Sequence, residues 1–219
     1  MTPVNQVDRG ETRRTRKGEA RDACLRRRAA DLFLARGYDD VTIDELVREV
    51  GGSKTGIYGF YGGKEGLFLA VMNEVLHELA APIRALALTD LSLEAGLESF
   101  ARALIAVLLQ DRHLAFQRLV IAEAMRHPQL GRSWFELGPM TSRAVLAEYL
   151  RSQQARGHIA TDVAPARLAK LFHDMITFDL LNRAMMGIAG GLTPAEIAQT
   201  IADAVRVMMQ GVATGKPIT

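Results

Sequence analysis

The chain has 219 residues, 48% of them hydrophobic and 24% charged, which is enough for one or two folded domains and excludes wholesale disorder or a fibrous repeat. Its longest uninterrupted apolar run, Ala103 to Leu109, is far short of the roughly 18 to 20 residues of a membrane-spanning helix, and the Arg-rich first 28 residues hold no apolar stretch of the kind that leads a secreted protein. The net charge of +2 hides an asymmetry: residues 1–28 carry nine Arg/Lys against four Asp/Glu, or +5, which leaves −3 for the rest.

A cytoplasmic protein is expected, and the single cysteine, Cys24, excludes an intrachain disulfide. Clustered cations at one end of a mildly acidic chain suit a polyanion, either nucleic acid or an anionic membrane; a solvated tail is the bland alternative. Residues 1–18 are expected as a disordered basic arm. A first helix is predicted over Arg21 to Arg36, with Leu25, Ala29, Leu32 and Phe33 on one face and Gly37 just past its end. Thr42 and Glu45 have the spacing of a capping box for a second, short helix ending at Gly51-Gly52. Ser53 then caps a third through about Phe60, and Gly62-Gly63 ends it.

A fourth helix starts at Lys64 and is expected to kink or end near residue 81 because of Pro82. Longer helices follow: one capped by Ser92 and running to Gln110, one over Leu114 to Arg126 ahead of Pro128, and one from Met140 to Arg156 after a Gly138-Pro139 break. Asp162 is expected to cap a helix through Met186, and Thr193-Pro194-Ala195-Glu196 is a start signal for a last helix to about Gln210. No segment alternates with a period of two, so the predicted fold class is all-α. The expected division is 19–63 for a three-helix unit, 64–80 for a connecting helix and 81–219 for a larger bundle.

Two short helices joined by a glycine turn and braced by a third form a helix-turn-helix, whose second helix can enter the DNA major groove. Ser53, Lys54, Thr55 and Tyr58 sit at or near the start of the third helix, where free backbone N–H groups and the positive dipole end favour a phosphate. Thr42 and Lys64 occupy the starts of the two adjoining helices. The stretch from Ala29 to Leu69, AADLFLARGYDDVTIDELVREVGGSKTGIYGFYGGKEGLFL, resembles the DNA-binding domain of the TetR family of transcriptional regulators, through Phe33 to Gly37-Tyr38, Thr42, Gly51-x-Ser53, Ile57-Tyr58, Phe60-Tyr61 and Lys64-Glu65. The resemblance implies that Tyr58, Lys64 and Thr42 contact phosphates, that Lys54, Thr55 and Gly56 face base edges, and that a homodimer with a C-terminal ligand-binding domain carries them. Arg13 and Arg14 of the basic arm are expected to add duplex contacts. The sequence departs from the family at Gly52, where an apolar residue is usual, and at the glycine-rich run Gly59, Gly62, Gly63 and Gly66. Gly59 also lacks a side chain that often helps to contact DNA.

The stretch from Leu119 to Pro139, LVIAEAMRHPQLGRSWFELGP, is similar to the C-terminal domain of AefR-type and AcrR-type members. Read from the residues, Phe100, Leu104, Leu108, Phe116, Val120, Trp134, Phe172, Met175 and Phe178 are candidates to line an apolar cavity, or else to form bundle core. Gln117, Glu123, His173 and Asp174 are polar groups on the same helices, and Glu123 is the candidate handle for a cationic amphiphile unless it pairs with Arg126 or His127. Leu171, Ile197, Ile201, Val205 and Met208 mark the last two helices as apolar over wide arcs, which fits a dimer interface or a buried central helix.

No metalloprotease HExxH, P-loop, dinucleotide glycine motif or GxSxG is present, and the pairs His77-Glu78 and Glu123/His127 lack an evident third ligand. Neither a cofactor nor a metal is expected. An enzymatic or metal-binding helical protein and a DNA-binding activator are the alternatives. The reading is a non-enzymatic regulator with three partners: duplex DNA, an apolar small molecule and a second copy of itself.

Overall fold

The computed structural model describes residues 16–51, 53–188 and 192–212. The expectations for Arg13, Arg14 and Gly52 fall outside these. The fold is all-α, in the order α1 (Arg16–Arg36), α2 (Ile43–Val50), α3 (Lys54–Tyr61), α4 (Lys64–Arg84), α5 (Leu93–Leu108), α6 (Asp111–Glu123), α7 (Pro128–Phe135), a π turn (Glu136–Met140), α8 (Thr141–Ala155), α9 (Pro165–Met185) and α10 (Pro194–Val212).

Several boundaries differ from the sequence expectation, each for a local reason. Helix α1 starts at Arg16 rather than Arg21, in a stretch rich in good helix formers. Pro82 does not end α4: Ile83 is buried in the bundle core and holds the last turn, while Arg84 folds back to donate to the His77 carbonyl at 2.7 Å. Pro128 does not merely stop α6 but occupies the first position of α7, where its missing N–H costs nothing. Gly138-Pro139 is not a break either. The chain widens into a π turn that carries α7 into α8, and Thr141 and Ser142 donate side-chain bonds to the carbonyls of Glu136 (3.2 Å) and Pro139 (3.0 Å). Asp162 is not the cap of α9, whose first residue is Pro165 with Ala164 before it. At α10 the expected box is formed: Thr193 Oγ1 accepts from the Glu196 amide at 3.2 Å, and Glu196 Oε2 accepts from the Thr193 amide at 3.1 Å.

Two apolar cores meet along α4. One joins α1, α2, α3 and α4 as far as Leu79 to Phe116, Leu119, Val120 and Leu130 of α6 and α7. The other joins the end of α4 to α5, α8, α9 and α10. Helix α4 has the length and apolar composition of a membrane span, but Leu67, Phe68, Val71, Met72, Val75, Leu76 and Leu79 are buried in the first of these cores. Helices α6 and α7 follow the bundle in sequence yet complete the core of the three-helix unit, so the two halves share packing rather than a linker.

Candidate nucleic-acid interface

The turn between α2 and α3 is fixed from outside. Gly51 ends α2 at φ +69°, and Arg21 of α1 donates from Nε to its carbonyl at 2.9 Å. A Cβ on Gly51 would also lie 2.8 Å from the Arg21 guanidinium. Ion pairs from α1 extend the brace along α2, with Arg28 on Glu49 and Arg36 Nη2 on Glu45 Oε2 at 2.6 Å. The hydrogen bond from Arg36 holds the Glu45 carboxyl below its ordinary pKa. Glu45 therefore serves α1 and also reaches back to the Thr42 backbone as the second half of the expected capping box. Thr42 accepts from the Glu45 amide at 3.2 Å.

Helix α3 starts at Ser53, whose Oγ accepts from the Gly56 amide at 3.1 Å, so this hydroxyl is engaged with its own helix. Lys54 and Thr55 are exposed and Gly56 half-buried beside them. Lys54 pairs with Asp44 of α2; both are exposed, and such a pair is worth about 1 kcal/mol or less, so DNA can displace it cheaply. Ile57 anchors the inner face, while Tyr58, 57% exposed, and Phe60 point outward. Gly63, at φ +125°, is buried beneath the Tyr58 ring, and a Cβ there would lie 3.4 Å from the ring edge. The backbone thus presents Tyr58 at a set angle. Lys64 is less free than its position suggests: Nζ donates to the Asp39 carbonyl at 3.1 Å and lies 4.3 Å from the centre of the Tyr38 ring.

That contact belongs to a seam that local sequence patterns do not reveal. Arg126, after α6, makes a two-pronged bond to the Asp39 carboxylate (2.8 and 3.2 Å), which holds that carboxyl below its ordinary pKa. His127 packs edge-on to Tyr38 at 5.0 Å and places Nδ1 3.1 Å from Glu65 Oε1. Glu123 lies beside it, 3.8 Å from His127 Nε2 and 3.5 Å from Arg126 Nη1. The start of α4 and the end of α1 are in this way tied to the α6–α7 corner.

Behind the seam lies a cavity of about 70 Å³. Its apolar wall comes from Leu76, Leu79, Ala80 and Ile83 of α4 and Leu104, Val107 and Leu108 of α5; its polar groups are His113, Gln117, Trp134, Thr141, Ser142, His173 and Thr177. Of the residues expected to line or serve a cavity, Leu104, Leu108, Gln117, Trp134 and His173 are there. Phe100 and Phe172 are not, because they are buried against each other's helices in the bundle core, with ring centres 6.4 Å apart. Phe116 and Val120 point the opposite way, into the core shared with the three-helix unit. Met175 and Phe178 lie on the surface. Glu123 sits in the seam and not on the cavity wall, so it cannot serve a ligand there. His113 had no periodicity or motif to mark it; it lies one helical turn before Gln117 on α6. Burial lowers its pKa to about 4 against a smaller opposing effect of Gln117, and burial also lowers that of His173.

The expected dimer residues divide. Ile201, Val205 and Met208 are buried in this chain's own core and Ile197 packs against it, because α10 closes the bundle over α5 and α9. They are therefore not placed to meet a partner. Leu171 is exposed and continues with Met175 and Phe178 into one stripe of α9, at 50%, 40% and 75% exposure. Among the described residues, no group of three or more His, Cys, Asp or Glu is placed to hold a metal.

Known proteins share this fold. Residues 25–71 match the family model described as bacterial regulatory proteins, tetR family, and residues 95–211 match the AefR-like transcriptional repressor, C-terminal domain. The HTH-type transcriptional repressor Rv1474c of Mycobacterium tuberculosis is 28% identical over 170 residues, covering 77% of this chain and 82% of its own. The HTH-type transcriptional repressor AcnR of Corynebacterium jeikeium is 25% identical over 176 residues, 80% of this chain and 83% of its own. A TetR-family regulator from Mesorhizobium loti, 28% identical, superposes with a TM-score of 0.74 over 92% of this chain and 100% of its own. The flavonoid-responsive regulator FrrA superposes with a TM-score of 0.76 at 24% identity, over 90% of this chain and 100% of its own.

Proposed function

The chain belongs to the TetR family of bacterial transcriptional regulators, and from that premise we propose that it is a cytoplasmic homodimeric repressor that leaves a near-palindromic operator when a small, mostly apolar molecule fills the cavity. A DNA-binding regulator and not an enzyme is what the family comprises; the sign of regulation, the operator symmetry and the ligand response are the reading argued here. The observation that carries it is α3: a braced eight-residue helix with an exposed, cationic N-terminal end and Tyr58 held outward over Gly63. In this reading Lys54, Thr55 and Gly56 face base edges, while Thr42, Ser53, Tyr58 and Lys64 take phosphates, with Arg13 and Arg14 adding charge. Repression is supported by the AefR-like C-terminal match and by the two curated relatives, both repressors. The exposed stripe Leu171, Met175 and Phe178 supports dimerisation through α9, since an unpartnered apolar face is what a symmetric helical interface buries.

Helix α4 supplies the coupling. It lines the cavity from Leu76 to Ile83 and begins at Lys64 beside the DNA-facing unit, roughly 18 Å away at 1.5 Å per residue. At about 70 Å³ the cavity is below the roughly 300 Å³ at which ligand pockets begin, so an occupant must push its walls apart. A ligand that favours the widened form draws the population away from the form whose two recognition helices match the operator. Selection of genomic fragments on the purified protein, followed by sequencing, tests the reading. The expected result is one enriched motif with two-fold symmetry and half-sites about 34 to 36 Å apart or a multiple of that; enrichment of nothing beyond random duplex refutes it.

A further inference from the structure

The cavity differs from an ordinary polar pocket in how little of its polarity is unspent. Thr177 Oγ1 donates to the His173 carbonyl at 2.8 Å, Ser142 Oγ to the Pro139 carbonyl at 3.0 Å, and Trp134 Nε1 to Gln117 Oε1 at 3.1 Å. No Asp, Glu, Lys or Arg is among the wall residues. His113 carries the one fully buried polar atom of the wall that is left without a partner. It is more than nine-tenths buried on the wall, and its Nδ1 has no hydrogen-bond partner. An orphaned buried nitrogen of this kind carries an uncompensated desolvation penalty, which a ligand that satisfied it would recover.

We infer that the effector is an uncharged molecule with an apolar body and one hydrogen-bond donor, a phenol or an alcohol, whose O–H bonds to His113 Nδ1. The inference rests on the proposed role of the cavity as the effector site. The direction of the bond follows from Gln117. Its amide oxygen already accepts from Trp134 Nε1, is thereby oriented as an acceptor, and lies on the side chain one helical turn from His113, where it acts to raise the imidazole pKa. An acceptor facing the imidazole puts the proton on the nitrogen nearest it. Nδ1 is the nitrogen without a partner, so we take the tautomer with its proton on Nε2, which leaves a lone pair on Nδ1 for a donor.

Charge is excluded by the wall. Burial keeps His113 neutral at ordinary pH, so it offers an anion no counter-charge, and a cation would find no carboxylate. An unpaired charge in such a site costs more than one hydrogen bond returns. The size fits a small aromatic ring only after expansion, because an apolar cavity that accepts benzene is about 150 Å³.

Titration calorimetry of the full chain with 4-ethylphenol, 4-ethylanisole, ethylbenzene, 4-ethylbenzoate and 4-ethylbenzylammonium tests this, together with release of a labelled operator duplex. The expected order is 4-ethylphenol at least tenfold tighter than 4-ethylanisole or ethylbenzene, with neither ion binding measurably. His113→Phe should reduce the phenol's advantage below twofold and leave ethylbenzene within twofold of the wild type. Equal affinity for phenol and ether in the wild type, tighter binding of either ion, or no binding by any probe overturns the inference; these wild-type arms decide it even if the variant folds poorly. Leu104→Phe, which fills the cavity from α5, tests the underlying reading separately. If the phenol binds that variant as well as the wild type, the cavity is not the effector site at all.

Discussion

The DNA-facing end and the cavity use the same kinds of side chain in opposite ways. At α3, Lys54, Thr55 and Tyr58 are exposed and, where paired, paired weakly, which leaves their bonding capacity for a partner that arrives with its own phosphates. At the cavity the hydroxyls and the indole are bonded within the protein, and the one fully buried wall atom left without a partner is Nδ1 of His113. A surface that must grip a highly charged polymer can rely on many shallow contacts, whereas a buried site cannot leave polar groups unsatisfied and so reads its ligand through few.

The sharpest way to break this comparison is to move a charge between an inner and an outer apolar position of the last two helices. Ile201 is buried in the bundle core, so Ile201→Glu strands a carboxylate there at a cost of several kcal/mol, a large share of a typical stability of 5 to 15 kcal/mol. Loss of helical circular dichroism at 37 °C is expected. Phe178, three-quarters exposed on α9, should behave differently: Phe178→Glu keeps its helicity but sediments as a monomer and binds operator at least a hundredfold more weakly. A Phe178→Glu protein that remains dimeric places the interface elsewhere.

These two positions also show what could be read from the sequence. Helix spacing identified both α9 and α10 as apolar over wide arcs, but spacing cannot say which side of a helix the same chain will cover. That depends on α5, about a hundred residues earlier, against which α10 packs. The DNA-facing unit was legible because its determinants are local: Thr42 and Ser53 cap helices a few residues away, and Gly51 and Gly62 take the positive φ their turns require. The cavity gathers single residues from α4 to α9, and no local pattern marks His113 or separates Leu104, which lines it, from Phe100, which does not. The Asp39–Arg126 contact spans 87 positions and was invisible for the same reason.

Glycines provide the next test, one at the DNA-facing end and one in the bundle core. A Cβ on Gly66, in the first turn of α4, would lie 1.7 Å from the Tyr61 carbonyl oxygen, a backbone atom with no rotamer to escape into. Gly66→Ala must therefore shift the α3–α4 junction, costing about 3 kcal/mol by the measure of overpacked sites, and operator affinity should fall more than a hundredfold. In Gly96→Ala the clash is with the Tyr149 hydroxyl at 2.1 Å, on a side chain that donates to the Ser92 carbonyl at 2.7 Å. This change should lower the melting temperature while DNA affinity at 20 °C stays within threefold. Equal loss of DNA binding in both variants would mean the two regions fold and fail as one unit.

Acid distinguishes the regions next. His113 titrates near 4 in the folded chain, lowered mainly by burial, against about 6.5 when unfolded. The unfolded state therefore binds the extra proton first, and stability falls as pH drops from about 6.5 towards 4, by at most about 3 kcal/mol from this residue. Denaturant melts between pH 7 and 4.5 should show that decline, to which His173, also lowered by burial, adds with the same sign, and His113→Phe should reduce it. Asp174 does not add to it in this range: burial alone would raise its pKa, but hydrogen bonds from Lys170, Arg143 and His173 outweigh that and bring it to about 2. Its contribution is lost only below about pH 4.

The smallest expected effect falls on the residue that joins the two regions. Lys64 Nζ spends one proton on the Asp39 carbonyl and lies over the Tyr38 ring, which leaves two protons for a phosphate. If phosphate binding is its main role, Lys64→Ala should weaken operator and random duplex alike, by about tenfold at moderate salt, and reduce the slope of log affinity against log salt by about one. The competing role is to brace the loop after α1 against the Arg126 side of the seam. In that case Lys64→Ala loses operator affinity alone with the salt slope unchanged, and Arg126→Ala, which removes the two-pronged bond to Asp39 without touching any DNA-facing group, reproduces the loss. Filter binding of both variants on both duplexes across a salt series separates the two, because counterion release follows only from a cation that meets a phosphate, whereas a misplaced helix changes fit without changing charge.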